Sequence, residues 1–297
     1  MIKDKILKKI IFGTAQFGGN YSYKKINSFN QKKINHILNY LVKKKIDKID
    51  TAEGYTSAHK KIGKYNKSVK KKFKIYTKLS FNKLLSKSEY LEKKIENIAK
   101  ELNVSKLNIL LHNPSIKQIR SSNFKIVLKN VKKNKFVDFL GVSVDTPNEF
   151  FSCIKIKEIQ FIQFPFNLID GRWDIEKIKK LKKKKFLVAR SIFLQGLLLD
   201  KSKKRFPNKI KKKITKLNQK VKNFDKNKKL LNFLLSYVNS NDWIDNFIIA
   251  VENLDQLKKC LNVDNYYDIG HNEKKLILNK LAIKDNKILR PYNWKMY

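Results

Sequence analysis

Four residues of four chemical types stand at or just beyond the ends of short apolar runs, and together they could deliver a proton to an oxygen. In "KIDTAEGYTSAHKKIG", Lys48 to Gly63, the acid Asp50 closes a run carrying Ile46 and Ile49, and Tyr55 follows five residues later. A third run, in "KIYTKLSF", ends on Lys78, and a fourth, in "LNILLHNPS", ends on His112. A free tyrosine has a pKa near 10, too high for a good proton donor at neutral pH. A lysine ammonium beside the phenol stabilises phenolate, and a carboxylate beside the lysine keeps it charged and fixed. A histidine on the other side can orient a carbonyl oxygen, so the set suits protonation of an oxygen as hydride arrives at its carbon. Each residue also has a plainer reading. Asp50 suits a helix cap, Tyr55 a ring packed over a rim, Lys78 one lysine among many, and His112, one of four histidines, a satisfied core residue. The shared position at the ends of consecutive runs favours the chemical reading.

The elements that must position them follow from apolar spacing. Eight strand-like runs occur at Lys9–Phe12, Ile46–Asp50, Phe73–Lys78, Leu107–Leu111, Phe136–Val142, Ile159–Gln163, Phe186–Arg190 and Phe247–Ala250. Most are too continuously apolar to have one wet face, as expected of buried parallel strands. Between them lie segments with apolar residues three and four apart: Ile34, Ile37, Leu38, Leu41; Leu91, Ile95, Ile98, Leu102; and Ile175, Ile178, Leu181. Strand and helix alternating eight times without a composition break reads as an α/β protein, a single-domain (β/α)8 TIM barrel over residues 1–297. Active sites of such barrels sit at the C-terminal ends of the strands, where the four residues fall. Two segments lie outside the alternation. A basic insertion, 200–224, follows the seventh strand, and a helical tail from about 262 to 297 is expected to pack across the outside or bottom of the barrel.

The net charge of +43 comes from 68 Lys or Arg residues, of which only Arg120, Arg172, Arg190, Arg205 and Arg290 are arginines. Nucleic-acid sites draw on Arg for bidentate contacts. An excess of almost pure Lys, beside abundant Asn, Ile, Phe and Tyr, reads as codon bias spread over solvated faces, with salt-sensitive, non-specific attraction to polyanions. No specific nucleic-acid partner is expected; the insertion, the best candidate, lacks interleaved aromatics for base stacking. Cys153 and Cys260 are far apart with no CxxC or Cys/His cluster, so neither metal site nor disulfide framework is indicated. The apolar run Ile10–Phe12 is too short for a signal peptide, and no stretch approaches a membrane span. A cytoplasmic protein without a membrane association is expected; the oligomeric state is not legible.

These segments resemble the aldo-keto reductase family over nearly the whole chain. "IIFGTAQFGGNY" resembles its first strand and turn, "DTAEGY" with Gly63 its signature, and "TKLS" and "LLHNPS" its lysine and histidine segments. "FLGVSVDTP" and "IQFPFNLID" are similar to its fifth and sixth strands. "RSIFLQGLLL" resembles the seventh strand and cofactor loop of a bacterial branch, and "IIAVENLDQLKKCL" the dinucleotide-binding eighth strand and helix. The resemblance implies reversible NAD(P)H-dependent reduction of a small aldehyde or ketone. It makes Tyr55 the proton donor, Lys78 and Asp50 its tuning pair, and His112 the group that orients the substrate. It also implies that Ser143 and Gln163 hold the nicotinamide carboxamide, that Thr14 lies beside the cofactor, and that Ser191, Phe193 and Gln195 line the pyrophosphate loop. Asn253 and Gln256 would meet the adenosine end.

The chain departs from the family at several points. Arg190 stands where an aromatic residue often stacks on the nicotinamide; a guanidinium plane can also stack, so it stays a cofactor contact. Val144 replaces a common Asn, Ala250 a common Gly, and His59 a common Glu. NADPH is the family's habit, but Glu252 near the adenosine end leaves NADH open, since an acid repels a 2′-phosphate and accepts from a ribose hydroxyl. "DGRW", with Trp173, either covers the pocket or starts a helix. Two other readings are a cofactor-binding regulatory or sensor barrel, and a lysine-rich nucleic-acid binder.

Overall fold

A strand buried on both faces reads as a near-continuous apolar run, and each of the eight apolar runs forms a strand that is buried along most of its length. The computed structural model describes residues 2–19, 29–199, 219 and 230–290. The strands are β1 (Ile10–Gly13), β2 (Lys48–Asp50), β3 (Lys74–Ser80), β4 (Leu107–His112), β5 (Val137–Ser143), β6 (Phe161–Pro165), β7 (Phe186–Arg190) and β8 (Asn246–Ile249). All neighbours pair in parallel, and β8 pairs with β1, so the sheet closes in sequence order. The expected strands are all present with ends shifted by a residue or two. Lys9, for instance, ends a helix, α1 (Ile2–Lys9), that the apolar spacing did not indicate.

Helices α2 (Gln31–Lys43), α3 (Ala58–Lys67), α4 (Ser88–Leu102), α5 (Ser122–Lys133), α6 (Pro147–Cys153), α7 (Ile175–Lys182), α8 (Leu230–Asn239) and α9 (Leu254–Cys260) lie between or after the strands. Local sequence sets their starts. The side chains of Asn30, Thr146, Asp174 and Asn253 each accept a backbone N–H from the first turn, which satisfies a donor the helix leaves open. The expected apolar stripes of α2 and α4 are buried against the sheet. Packing is tightest where α3 meets α4. A Cβ at Gly63 would stand 1.8 Å from Glu101 O, so this helix crossing requires glycine.

Inside the barrel a separate apolar layer joins Ile11, Leu110, Phe161, Val188 and Ile248, with Tyr76 packed on it. Side chains alternate along a strand, so the next inward position is two residues further on. Those positions are Gly13, Lys78, His112, Gln163, Arg190 and Ala250, and all six line one cavity together with Asp50 from β2. The apolar layer is the floor of the site, and parity along the strands decides which side chains stand on it.

The expected insertion, 200–224, lies outside the described residues apart from Gln219. The tail follows the bottom and the outside of the barrel, as expected, and then goes further. It begins at the bottom, where the short turn Val263–Asn265 packs near α1, but it does not stay there. Helix α10 (His271–Leu281) climbs the outside, and α11 (Asn286–Leu289) ends at the mouth, where Leu289 and Arg290 line the cavity. The crossing is held by backbone hydrogen bonds from Ile283 N to Ile169 O (2.7 Å) and from Gly171 N to Ile283 O (3.1 Å). Among the described residues, no helix is long and apolar enough to cross a membrane.

Candidate active site

β2 and β3 lie side by side, with Asp50 paired in register to Tyr76, so the next inward residue of β3, Lys78, meets Asp50 at the barrel mouth. Lys78 Nζ donates to Asp50 Oδ1 at 2.5 Å and to Thr51 O at 3.1 Å. Both side chains are buried, at 3% and 6% exposure, which removes water as a competitor for the pair. Burial lowers the Lys78 pKa; Asp50 opposes that shift by attraction and hydrogen bonding, and Arg190 adds to it by repulsion. Gln163 Nε2 donates to the other carboxylate oxygen, Asp50 Oδ2, at 2.7 Å, while its Oε1 accepts from Ser143 Oγ at 3.2 Å. The carboxylate is thus gripped at both oxygens by residues from β3 and β6.

Tyr55 sits in the turn after β2, its ring centroid 5.6 Å from Lys78 Nζ. The turn is pressed against the first loop. A Cβ at Gly18 would lie 2.3 Å from Tyr55 O, so only glycine permits the approach. The next residue, Thr56, has φ +41, a left-handed conformation that is costly for a β-branched side chain. His112, at the end of β4, lines the same cavity. Burial, then the charges of Lys78 and Arg190, lower its pKa to about 4, so the ring is neutral at pH 7 and holds one N–H to donate.

His59, where the family pattern lapses, is buried behind the site. Its Nε2 is 3.0 Å from Thr77 Oγ1, on the residue before Lys78. Burial lowers its pKa to about 4 as well, so the 3.6 Å approach of Glu101 to Nδ1 is not an ion pair at neutral pH.

The opposite rim holds residues that sequence reasoning missed. Asp145, two residues beyond Ser143, pairs with Arg190 and accepts from Asn113 Nδ2 at 3.2 Å. Arg190 also donates to Val144 O at 3.0 Å. Arg290 Nη2 stands 3.8 Å from Asp145 Oδ2. Asn113 is adjacent to His112, and that adjacency was the available signal. For Arg290 the signal was its rarity in a chain with five arginines.

The cavity has a volume of about 670 Å³, within the roughly 300–1,000 Å³ typical of small-molecule and cofactor sites. It runs from Asp50, Tyr55, Lys78 and His112 past Ser191, Phe193 and Gln195 to Glu252, Gln256 and Lys259. Two side-chain oxygens of cavity-lining residues, Gln16 Oε1 and Gln195 Oε1, are buried without a hydrogen-bond partner among the described residues. An elongated cavity of this size, with acceptors left for a donor-bearing ligand, fits a nicotinamide nucleotide. Three expected cofactor residues do not line the cavity. Thr14 is fully buried and donates to Asp50 O at 3.0 Å, Ser143 faces Gln163, and the Asn253 side chain is spent capping α9. Trp173 is likewise absent from the lining. It lies in an aromatic cluster with Phe164 (4.9 Å) and Phe150 (5.5 Å), just before α7. No group of three or more potential metal ligands occurs among the described residues.

A closed parallel barrel with a buried lysine–carboxylate pair at the C-terminal mouth defines a recognisable class, and comparison with known proteins agrees. The model of the Aldo/keto reductase family matches residues 9–267, and the chain belongs to that family. Its members are oxidoreductases that act on small carbonyl compounds with nicotinamide cofactors. Among solved structures, aldo-keto reductase AKR11C1 from Bacillus halodurans in its holo form is similar with a TM-score of 0.74 and 17% identity, over 93% of each chain. The glycerol dehydrogenase AKR11B4 from Gluconobacter oxydans is similar with a TM-score of 0.73 and 17% identity, again over 93% of each. At these identities the likeness speaks for the fold. Comparison with curated proteins finds no match.

Proposed function

We propose that this chain reduces an aldehyde or ketone, reversibly, with Tyr55 as the proton donor. The observation that carries the reading is the buried Asp50–Lys78 pair beside the Tyr55 ring, in one cavity with His112. When bound, a nicotinamide cofactor would supply the hydride. Neutral His112 donates its N–H to the substrate carbonyl and orients it. Tyr55 gives its proton to the oxygen as charge develops there, and Lys78 stabilises the phenolate left behind. Asp50 keeps Lys78 charged despite its burial, and Gln163 fixes the carboxylate. Gln163, Arg190, Ser191, Phe193, Gln195 and Gln256 would hold the nucleotide, with Thr14, Ser143 and Asn253 acting behind them.

NADPH is the expected nucleotide and NADH the alternative. Lys259 favours a 2′-phosphate at that end of the cavity, and Glu252 disfavours one. Cys153 and Cys260 are free and buried, which suits a reducing, cytoplasmic setting. The partner is a small carbonyl compound. The test is fluorescence titration with both nucleotides, followed by a carbonyl panel with whichever binds. Turnover of at least one carbonyl is expected. Tight nucleotide binding with no turnover on any of them would favour a regulatory barrel instead.

A further inference from the structure

In this chain lysine does the generic work of a positive surface, and arginine is rare. Three of the five arginines nevertheless converge on Asp145. Arg190 pairs with Oδ1, Arg172 Nη1 donates to the backbone O at 3.3 Å, and Arg290 approaches Oδ2. Arg172 acts as a clamp. It chelates Asp170 through Nε (2.8 Å) and Nη2 (2.6 Å), and Nη1 reaches Asn286 Oδ1 on the tail at 2.8 Å. With the two backbone hydrogen bonds at Ile283, the clamp holds the segment leading to Arg290 over the mouth.

The residue so delivered is Arg290, and its hydrogen-bonding capacity is not used up. Its separation of 3.8 Å from Asp145 Oδ2 is too long for a hydrogen bond, and that oxygen already accepts from Asn113. Arg290 Nε is buried with no hydrogen-bond partner among the described residues. A buried guanidinium donor left unmet is costly, and a planar oxyanion matches its fork. Arg290 stands beside Asn113 and Asp145, at the ends of β4 and β5, whereas the loop Ser191–Gln195 and Glu252 belong to the β7 and β8 side. Around the four candidate catalytic residues the cations Lys78, Arg190 and Arg290 face the carboxylates Asp50 and Asp145, which leaves one positive charge in excess.

We propose that Arg290 selects a carbonyl substrate bearing an oxyanion, a carboxylate or a phosphate, at its far end. This rests on the carbonyl-reductase reading above. The test compares kcat/KM for a series of aldehyde-terminated carboxylates of two to six carbons with the matching neutral alkanals, and for glyceraldehyde 3-phosphate with glyceraldehyde. The wild type is expected to prefer the anionic member of at least one pair by about 10- to 100-fold. Arg290→Met should reduce that ratio at least tenfold, and Arg290→Lys should retain part of it, with thermal midpoints reporting that both variants fold. A wild-type ratio near one, or a ratio unmoved by Arg290→Met, overturns the proposal. So does a loss confined to nucleotide affinity, which would assign Arg290 to the cofactor's phosphates. Calorimetric titration with succinate and glutarate needs no turnover and separates the two readings. At least tenfold weaker binding of one of them in Arg290→Met supports the proposal, and undetectable or equal binding of both overturns it. Failure of every carbonyl to react would count against the reductase reading alone.

Discussion

The two sides of the barrel mouth are built on different principles. On the β2–β4 side, Asp50, Lys78 and His112 stand on consecutive strands, and Tyr55 hangs from the turn after the first of them. Asp50 and Lys78 take their side-chain partners from the strands and the residue after β2, and the central pair is almost dry. On the β5–β7 side, Arg190 stands on β7 and pairs with Asp145 beyond β5, and the tail returns from the bottom of the molecule to bring Arg290 within 3.8 Å of Asp145. The first side is determined by strand parity and suits chemistry that tolerates little movement. The second adds a residue beyond a strand end and a clamped tail to one strand residue, and suits recognition.

Substitutions should separate the two sides. Lys78→Met is expected to have the largest effect, because it strands a buried carboxylate. Stability should fall by about 3–5 kcal/mol in urea unfolding, and turnover by about 10²- to 10⁴-fold. Arg190→Met on the other rim should reduce kcat/KM far less; an equal loss at both positions would erase the contrast.

The second effect is on pH. His59 has a pKa near 4 in the fold, against a reference of 6.5. Between those values the unfolded chain binds more protons than the folded one, so stability must fall as pH drops from about 6.5 to 4. The contribution at stake is about 3 kcal/mol. His59→Gln should flatten that part of the stability–pH curve without abolishing the slope, because His112 is shifted in the same direction.

Gly18→Ala should cost about 1–3 kcal/mol by overpacking and should lower kcat as well, since the added methyl meets the backbone of Tyr55. The smallest effect is expected of Asn286→Ala, which removes one contact from the clamp. It should cost about 1 kcal/mol and alter substrate preference while leaving nucleotide affinity in place.

The contrast also explains what the sequence disclosed. The β2–β4 side was legible because each residue closes an apolar run, and the run fixes both the strand and its inward parity. Asp50, Lys78 and His112 needed no long-range information. Asp145 and Arg290 were missed because their meeting depends on the path of the tail, which no local periodicity encodes. For the same reason the tail was legible on the outside and bottom of the barrel but its arrival at the mouth was not: helix α10 announces a buried face but not where the chain goes next. Thr14, Ser143 and Asn253 were expected as cofactor contacts from the resemblance alone, and whether a short polar side chain faces a cavity or another protein group is settled only by packing. His59 fills a buried slot against Thr77, a contact between helix and strand that spacing alone does not reveal.

The most direct measurement is single-turnover reduction of a reactive carbonyl by the bound nucleotide in wild type and Tyr55→Phe, with nucleotide affinity recorded for both. Removal of the phenolic proton should slow the step by about 10²- to 10⁴-fold while the nucleotide binds within a few-fold of its wild-type affinity. A Tyr55→Phe variant that reduces the carbonyl within a few-fold of the wild-type rate would contradict the account.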